Sequence, residues 1–509
     1  MKRILIYLLV AAMCLTLCAC EKNSSANNGT TGNGDTTGTT GPENNGGNTN
    51  PGNDPEAGED TENGNNTPPS HEHTWADATC TVPKTCTDCG ATEGTAAFHD
   101  WVVMTENNTM TCSVCSETSV YSVGFRFRDN GDGTCVVIGL GTCADADVVI
   151  PAKHEDSVVI GIEEFAFANS YNVQSVTIPD SVTYIGMGAF MYCGMHSVSI
   201  PASVTYIGMS AFMACGVHSV SIPDSVTCIA ETAFENCKNL TSIALPDSII
   251  SIDNCAFKGC TSLTSITIPD SVTGIGEEAF RNCSKLTNVT IGNGVTTIGA
   301  HAFASCAGIT ELTIPDSVTN IGNEAFNECD GLTSVTIGSG VISMGELAFY
   351  SCDSLRNLTI KEGVESIGYC AFGLCKNLGS VMIPNSVTDI GAEAFAECYN
   401  LTQVTVGSGV TNFGASAFEN CSNLTSLTLC DGLTTISKKA FNGCESLTGV
   451  TIAASVVDIG DDAFSFCGQL TSIHFAGTME QWNAIEKSDF WDSYTGNYTI
   501  YCTDGEITK

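Results

Sequence analysis

Along residues 261–283 the apolar side chains fall at Leu263, Ile266, Ile268, Val272, Ile275, Ala279 and Phe280, with hydroxyl and acidic residues between them. The next 23 residues keep the same order, and so do the 23 after those. Ser265 and Thr267 alternate with Ile266 and Ile268, which predicts a short strand with one buried and one exposed face. Pro269-Asp270-Ser271 predicts a turn, written elsewhere as Gly292-Asn293-Gly294 or Gly338-Ser339-Gly340. Proline fixes φ and glycine permits positive φ, so both read as solutions to one turn. Val272 and Ile275 point inward again, and Ala279-Phe280 closes the unit. One such unit has too few apolar side chains for a core, but stacked units share one. The predicted fold class is therefore a repeat solenoid whose strands pair into a parallel β-sheet, with short turns or helical segments between them.

The register is marked by Phe167, Phe190, Phe212, Phe234, Phe257, Phe280, Phe303, Phe326, Phe349, Phe372, Phe395, Phe418, Phe441 and Phe464. The second and third steps are 22 residues and the others 23. A cysteine follows each phenylalanine by three from Cys193 to Cys467, and the first unit has Ser170 instead. The Ile-Pro-Asp-Ser-Val, Ala-Phe and following Cys of these units resemble the leucine-rich repeats of the BspA-like family of bacterial surface proteins. The resemblance covers residues 145–475 and implies a leucine-rich-repeat array. It also implies a C-terminal cap at 476–509. Ahead of the array, "FRFRDNGDGTCVVIG" predicts a β-hairpin cap within 121–144, turning at Asn-Gly or Asp-Gly. Its Asp129 and Asp132 lack the spacing of a calcium loop.

The formal net charge is −38, with only 18 lysines and arginines. That excludes nucleic acid, whose phosphates require basic side chains, and excludes docking on anionic lipid through the protein surface. Asp224, Asp247, Asp270 and Asp316 fall in the repeat turns and read as a solvated edge, with weak calcium binding as the alternative.

The first twenty residues, "MKRILIYLLVAAMCLTLCAC", have a basic start and an apolar run suited to a secretory signal. Leu17, Ala19 and Cys20 resemble the lipobox of bacterial lipoproteins, which implies acylation of Cys20 and anchorage to the bacterial membrane by lipid alone. An ordinary cleaved signal is the alternative. Residues 21–70 are a Gly/Asn/Thr tether with almost nothing apolar to bury, the composition of a disordered segment.

Residues 71–120 contain a duplication. His73, Trp75, Cys86 and Cys89 return 26 residues later as His99, Trp101, Cys112 and Cys115. The C-x2-C-x22-C-x2-C spacing is close to that of a zinc ribbon. Four thiolates from Cys86, Cys89, Cys112 and Cys115 suit a closed, structural zinc site. Two disulfides, or free thiols, remain alternatives in an exported module. The cysteines of the repeat register read differently. Coils stack about 4.8 Å apart, beyond the usual Cβ separation of a disulfide, roughly 3.5–4.5 Å. They are expected to be buried and reduced.

No H-E-x-x-H, G-x-S-x-G or phosphate loop occurs, and the histidines are scattered, so no enzymatic activity is predicted. The outward strand residues Ser265, Thr267, Asn288, Thr290, Glu311, Thr313, Ser334, Thr336, Asn357 and Thr359 form a regular polar face suited to an extended partner. The resemblance implies an adhesin that binds extracellular proteins or host or bacterial cells. A structural spacer of the envelope, or a binder of glycan or ice, is the alternative.

Overall fold

The computed structural model describes residues 118–509 throughout. Before them it describes the backbone of five short strands between residues 75 and 112. These strands form two antiparallel sheets, the second completed by Thr118–Val120. In the first, Trp75–Ala76 pairs with Lys84–Cys86 and Trp75 lies opposite Cys86. In the second, Trp101–Met104 pairs with Thr109–Cys112 and Trp101 lies opposite Cys112. The sequence duplication is thus repeated in the backbone register.

Each repeat forms one three-sided coil. The first side is the predicted strand, such as Ser265–Thr267, paired in parallel with Asn288–Thr290 of the next coil. The second side is a further strand of two residues, such as Gly274–Ile275, paired with Thr297–Ile298. The third side contains no strand and no helix. There the amides of Glu278, Phe280 and Asn282 donate to the carbonyls of Ala300, Ala302 and Ala304 in the next coil. This third ladder recurs along the array and ends on the carbonyls of Trp491 and Ser493. The parallel sheet expected is thus joined by a second strand ladder, and of the two kinds of connection expected it is turns that link the strands. The one helix among the described residues, Met479–Ala484, lies in the C-terminal cap behind a capping box made by Thr478 and Gln481.

The third side imposes an unusual backbone. Glu278 and Asn282, two residues before and after Phe280, have φ of 55° and 62°. The same two positions are left-handed in every coil, whether they hold Thr232, His301, Leu347 or Lys439. A left-handed non-glycine residue costs roughly 1–2 kcal/mol. The alternation turns every second amide toward the following coil, and the resulting hydrogen bonds offset that cost.

The core is a single column. All fourteen phenylalanines of the register are fully buried. Successive rings stack with centroids 4.9–5.5 Å apart. The column is closed edge-on at both ends, by Phe125 against Phe167 and by Trp491 against Phe464. The N-terminal hairpin Arg126–Asp129 and Thr134–Gly139 extends the two-residue ladder, and Thr499–Cys502 extends the longer one.

The register cysteines are buried and unpaired. From Cys237 to Cys467 each thiol donates to the carbonyl of the phenylalanine in the preceding coil, at 3.0–3.5 Å. Burial pushes the thiols of Cys237 and Cys467 up to about 12.

The Gly-x-Gly turns have a different reason from the one expected, although Gly363 and Gly432 at the same turn position do adopt positive φ. Gly292 and Gly294 do not adopt positive φ. A Cβ on Gly294 would lie 1.8 Å from the carbonyl oxygen of Asp270, and one on Gly292 would lie 2.4 Å from that of Pro269. The preceding coil leaves no room for a side chain. Nor is the acidic edge merely solvated. The Asp270 carboxylate accepts from the Asn293 amide at 2.6 Å, and Asp316 from the Ser339 amide at 2.8 Å. Each joins a proline turn to the glycine turn that follows it.

Candidate functional site

Alternation on the longer strands separates two sets of side chains. Ile266, Leu312 and Val335 face the core and are buried. Ser265, Thr267, Asn288, Thr290, Glu311, Thr313, Asn357 and Thr359 are exposed on the opposite face, and Ser334 and Thr336 are half-buried there. Parallel register aligns them in two columns: Ser265 beside Asn288, Thr267 beside Thr290, Thr313 beside Thr336, and Thr336 beside Thr359. All ten residues predicted from the sequence are thus brought to one face.

Not every hydroxyl near this face is available. Thr264, Thr287 and Thr333 lie just before the strands, and each donates to a carbonyl of the preceding coil. Ser271 and Ser317 are similarly committed in the turns. Thr267, Thr290, Thr313, Thr336 and Thr359 make no side-chain hydrogen bond to another described residue. The Ser/Thr content therefore divides into an internal fastening set and an outward, unengaged set.

The face is longer than predicted. Thr405, Thr428 and Thr451 continue the second column, and His474 and Tyr501 complete it with rings stacked 5.0 Å apart. Met382 interrupts the hydroxyls and is 70% exposed. The 23-residue spacing from Thr359 through Met382, Thr405, Thr428 and Thr451 to His474 is the signal that could have found them.

Pairing on this face is unequal. From Glu311–Thr313 onward the strands form one ten-stranded sheet, but before it the ladder is broken into shorter pieces. The last break lies between Asn288–Thr290 and Glu311–Thr313. An open cleft of about 370 Å³ lies there, lined by Val289, Thr290, Ile291, Asn293, Glu311, Leu312, Thr313 and Pro315.

Charged groups on the third side are tied to one another. Glu278 pairs with both Lys258 and Arg281. Burial alone would raise its carboxyl, but those two cations outweigh burial and hold it below the ordinary value. Burial raises the Glu235 carboxyl, which Lys258 offsets only in part. Burial also pushes the nearby Cys255 thiol up to about 12, the reverse of what a nucleophilic cysteine needs.

Three of the sequence-derived sites lie outside the described residues: Cys20, Cys89 and Cys115. Cys86 and Cys112 lie in strands of which only the backbone is described. Among the described residues, no group of three or more His, Cys, Asp or Glu is placed to hold a metal, and no helix is long and apolar enough to cross a membrane.

A family model described as "BspA type Leucine rich repeat region (6 copies)" matches residues 160–287, 206–331, 250–379, 296–425 and 388–503, together more than half of the chain. No curated protein matches the chain. A leucine-rich repeat protein from Bacteroides ovatus is 26% identical over 74% of this chain and 98% of its own, with a TM-score of 0.57. A leucine rich cell surface protein from Faecalibacterium prausnitzii is 32% identical over 72% of this chain and 98% of its own, with a TM-score of 0.40.

Proposed function

The chain belongs to the BspA-type leucine-rich repeat family of bacterial surface proteins, and on that premise we propose that it is a non-enzymatic adhesion module recognising an extracellular protein or cell surface. Leucine-rich-repeat solenoids are recognition scaffolds, a fold class not associated with catalysis. The observation that carries the reading is the outward column of unengaged hydroxyls, from Thr267 to Thr451, beside a second set whose hydrogen bonds are all internal. A regular polar face with free donors and acceptors suits an extended partner, and repeat arrays commonly use such surfaces. Replacing Thr267, Thr290, Thr313 and Thr336 by lysine tests it. Folding should persist, because these side chains bond to nothing within the fold, and adhesion to matrix protein, mucin or cells should be lost. Variants that adhere as well as the parent would move the contact to another face. Normal adhesion by cells lacking the protein would favour a spacer role.

The layout ahead of the array completes the proposal. The lipobox-like Cys20 would carry the lipid anchor, and residues 21–70 would hold the array away from the membrane. Fifty residues of this composition have a root-mean-square span of roughly 40 Å. The duplicated module would be held by one structural zinc on Cys86, Cys89, Cys112 and Cys115. The matching Trp75–Cys86 and Trp101–Cys112 registers support two equivalent halves.

A further inference from the structure

The break between Asn288–Thr290 and Glu311–Thr313 leaves main-chain groups open. At the preceding pair, Ile268 donates to Thr290 O and Asn288 to Thr264 O. At the following pair, Ile314 donates to Thr336 O and Ser334 to Thr310 O. The equivalent bonds, Ile291 to Thr313 and Glu311 to Thr287, are missing. So is the threonine fastening that recurs on either side, where Thr287 and Thr333 each bond one coil back. The backbone thus offers donors at Ile291 and Glu311 and acceptors at Thr287 and Thr313. The hydroxyls of Thr290 and Thr313 and the carboxylate of Glu311 line the same cleft. Exposed strand amides and carbonyls without a protein partner bond to water or to a ligand that displaces it.

We infer that this cleft is a subsite for a neutral sugar ring of a surface glycan, an inference that rests on reading the strand face as the recognition surface. Sugar hydroxyls both donate and accept, which matches the mixed set of groups. A phosphate or carboxylate only accepts and would meet Glu311, and an ammonium only donates. A peptide strand fits less well. Inserting one would require two strand spacings, roughly 9.5 Å, whereas Cα atoms of the two strands still approach within 8 Å. The other sides of the coils hold them there, through the Thr297–Asn320 pairing and the Phe303 amide on Ala325 O. The volume falls at the low end for small-ligand sites, roughly 300–1,000 Å³.

The test is calorimetric titration of the whole protein with maltohexaose, mannohexaose, galactohexaose and chitohexaose. At least one should bind saturably at one site per chain. Thr290→Val with Glu311→Ala should weaken that binding tenfold or more. Thr297→Val with Asn320→Ala, exposed on the second side of the same two coils, should leave it unchanged. In the unsubstituted protein the bound sugar should slow hydrogen exchange at Ile291 and Glu311, a readout independent of any variant's folding. Absence of saturable binding by all four sugars overturns the inference. So does equal weakening by both variant pairs, or preferential capture of a peptide that the sugars do not displace. Loss of adhesion in the four-lysine variant, with no sugar bound by the parent, would leave the adhesion reading standing and remove the glycan subsite alone.

Discussion

The thiol of Cys283 donates to the carbonyl oxygen of Phe257 in the preceding coil, 3.2 Å away. The same relationship fastens each coil from Cys237 to Cys467 to its predecessor, so the cysteines act as donors as well as small apolar side chains. Cys306→Ala should cost about 1–3 kcal/mol through the lost bond and the small cavity. Cys306→Ser should recover part of it, because a hydroxyl can still donate. Denaturant unfolding of both variants measures the difference. Thiol labelling should find the register unreactive in the native array and reactive after unfolding without reductant.

Stability should fall in alkali. The folded thiols of Cys237 and Cys467 are raised from 9.0 to about 12 by burial. Between those values the folded chain keeps protons that the unfolded chain has released. Their contribution is fully present below about pH 9 and is lost progressively as pH rises toward 12. Unfolding midpoints between pH 8 and 11.5 should decline, and replacing Cys237 and Cys467 by alanine should flatten the decline.

Phe303 stacks on Phe280 at 4.9 Å and on Phe326 at 5.3 Å. Phe303→Ala removes one ring from the middle of the column and should cost about 3–5 kcal/mol. An unchanged unfolding midpoint would show that the column is not the core.

Gly294→Ala should destabilise the array by roughly 1–3 kcal/mol or more, as overpacking does. The new methyl would meet the Asp270 carbonyl, a backbone atom that cannot rotate away. Ser339→Ala, at the half-buried middle of an equivalent glycine turn, should cost less, since it keeps the amide bond to Asp316 and loses only the weaker side-chain hydrogen bond to that carboxylate. Thermal melts of the two variants provide the comparison.

The export and metal proposals have direct readouts. Mass spectrometry of the mature protein should find a lipid-modified Cys20, and Cys20→Ala should release the protein from the membrane. A chain purified under reducing conditions should contain about one zinc, lost on chelation together with the fold of residues 71–120. An unmodified N-terminus elsewhere, or two disulfides without metal, would replace these readings.

The strand face and the phenylalanine core were legible because both rest on side-chain periodicity. Ser265 and Thr267 alternate with buried Ile266 in the sequence as they do in the coil. The third side was not legible, because its cause is a backbone conformation. Its left-handed positions hold Glu278, His301, Leu347 and Lys439, which no compositional rule marks. Only Gly188, Gly259, Gly443, Asn169, Asn236, Asn282 and Asn420 in the same register hinted at it. The role of the cysteines was half legible. Burial followed from residue type, but the acceptor is a main-chain oxygen that no sequence displays. The missing bond between Ile291 and Thr313 left no trace either, since the residues on both sides of the break repeat the common pattern.

The third ladder makes the array electrically polar. Its amides point toward the C-terminal neighbour and its carbonyls toward the N-terminal one, in every coil. Peptide dipoles that alternate along ordinary strands are here aligned, as they are in a helix. The sense is the reverse of a helix: carbonyl oxygens lead at the beginning of the array and amide hydrogens at its end. The end of the array therefore favours negative charge and its beginning positive charge. Asp489 and Asp492 stand in the cap at the amide end, where this alignment would favour a carboxylate. Adding coils lengthens the separation of these partial charges without changing their size, so arrays of any length present the same two opposite poles to their caps.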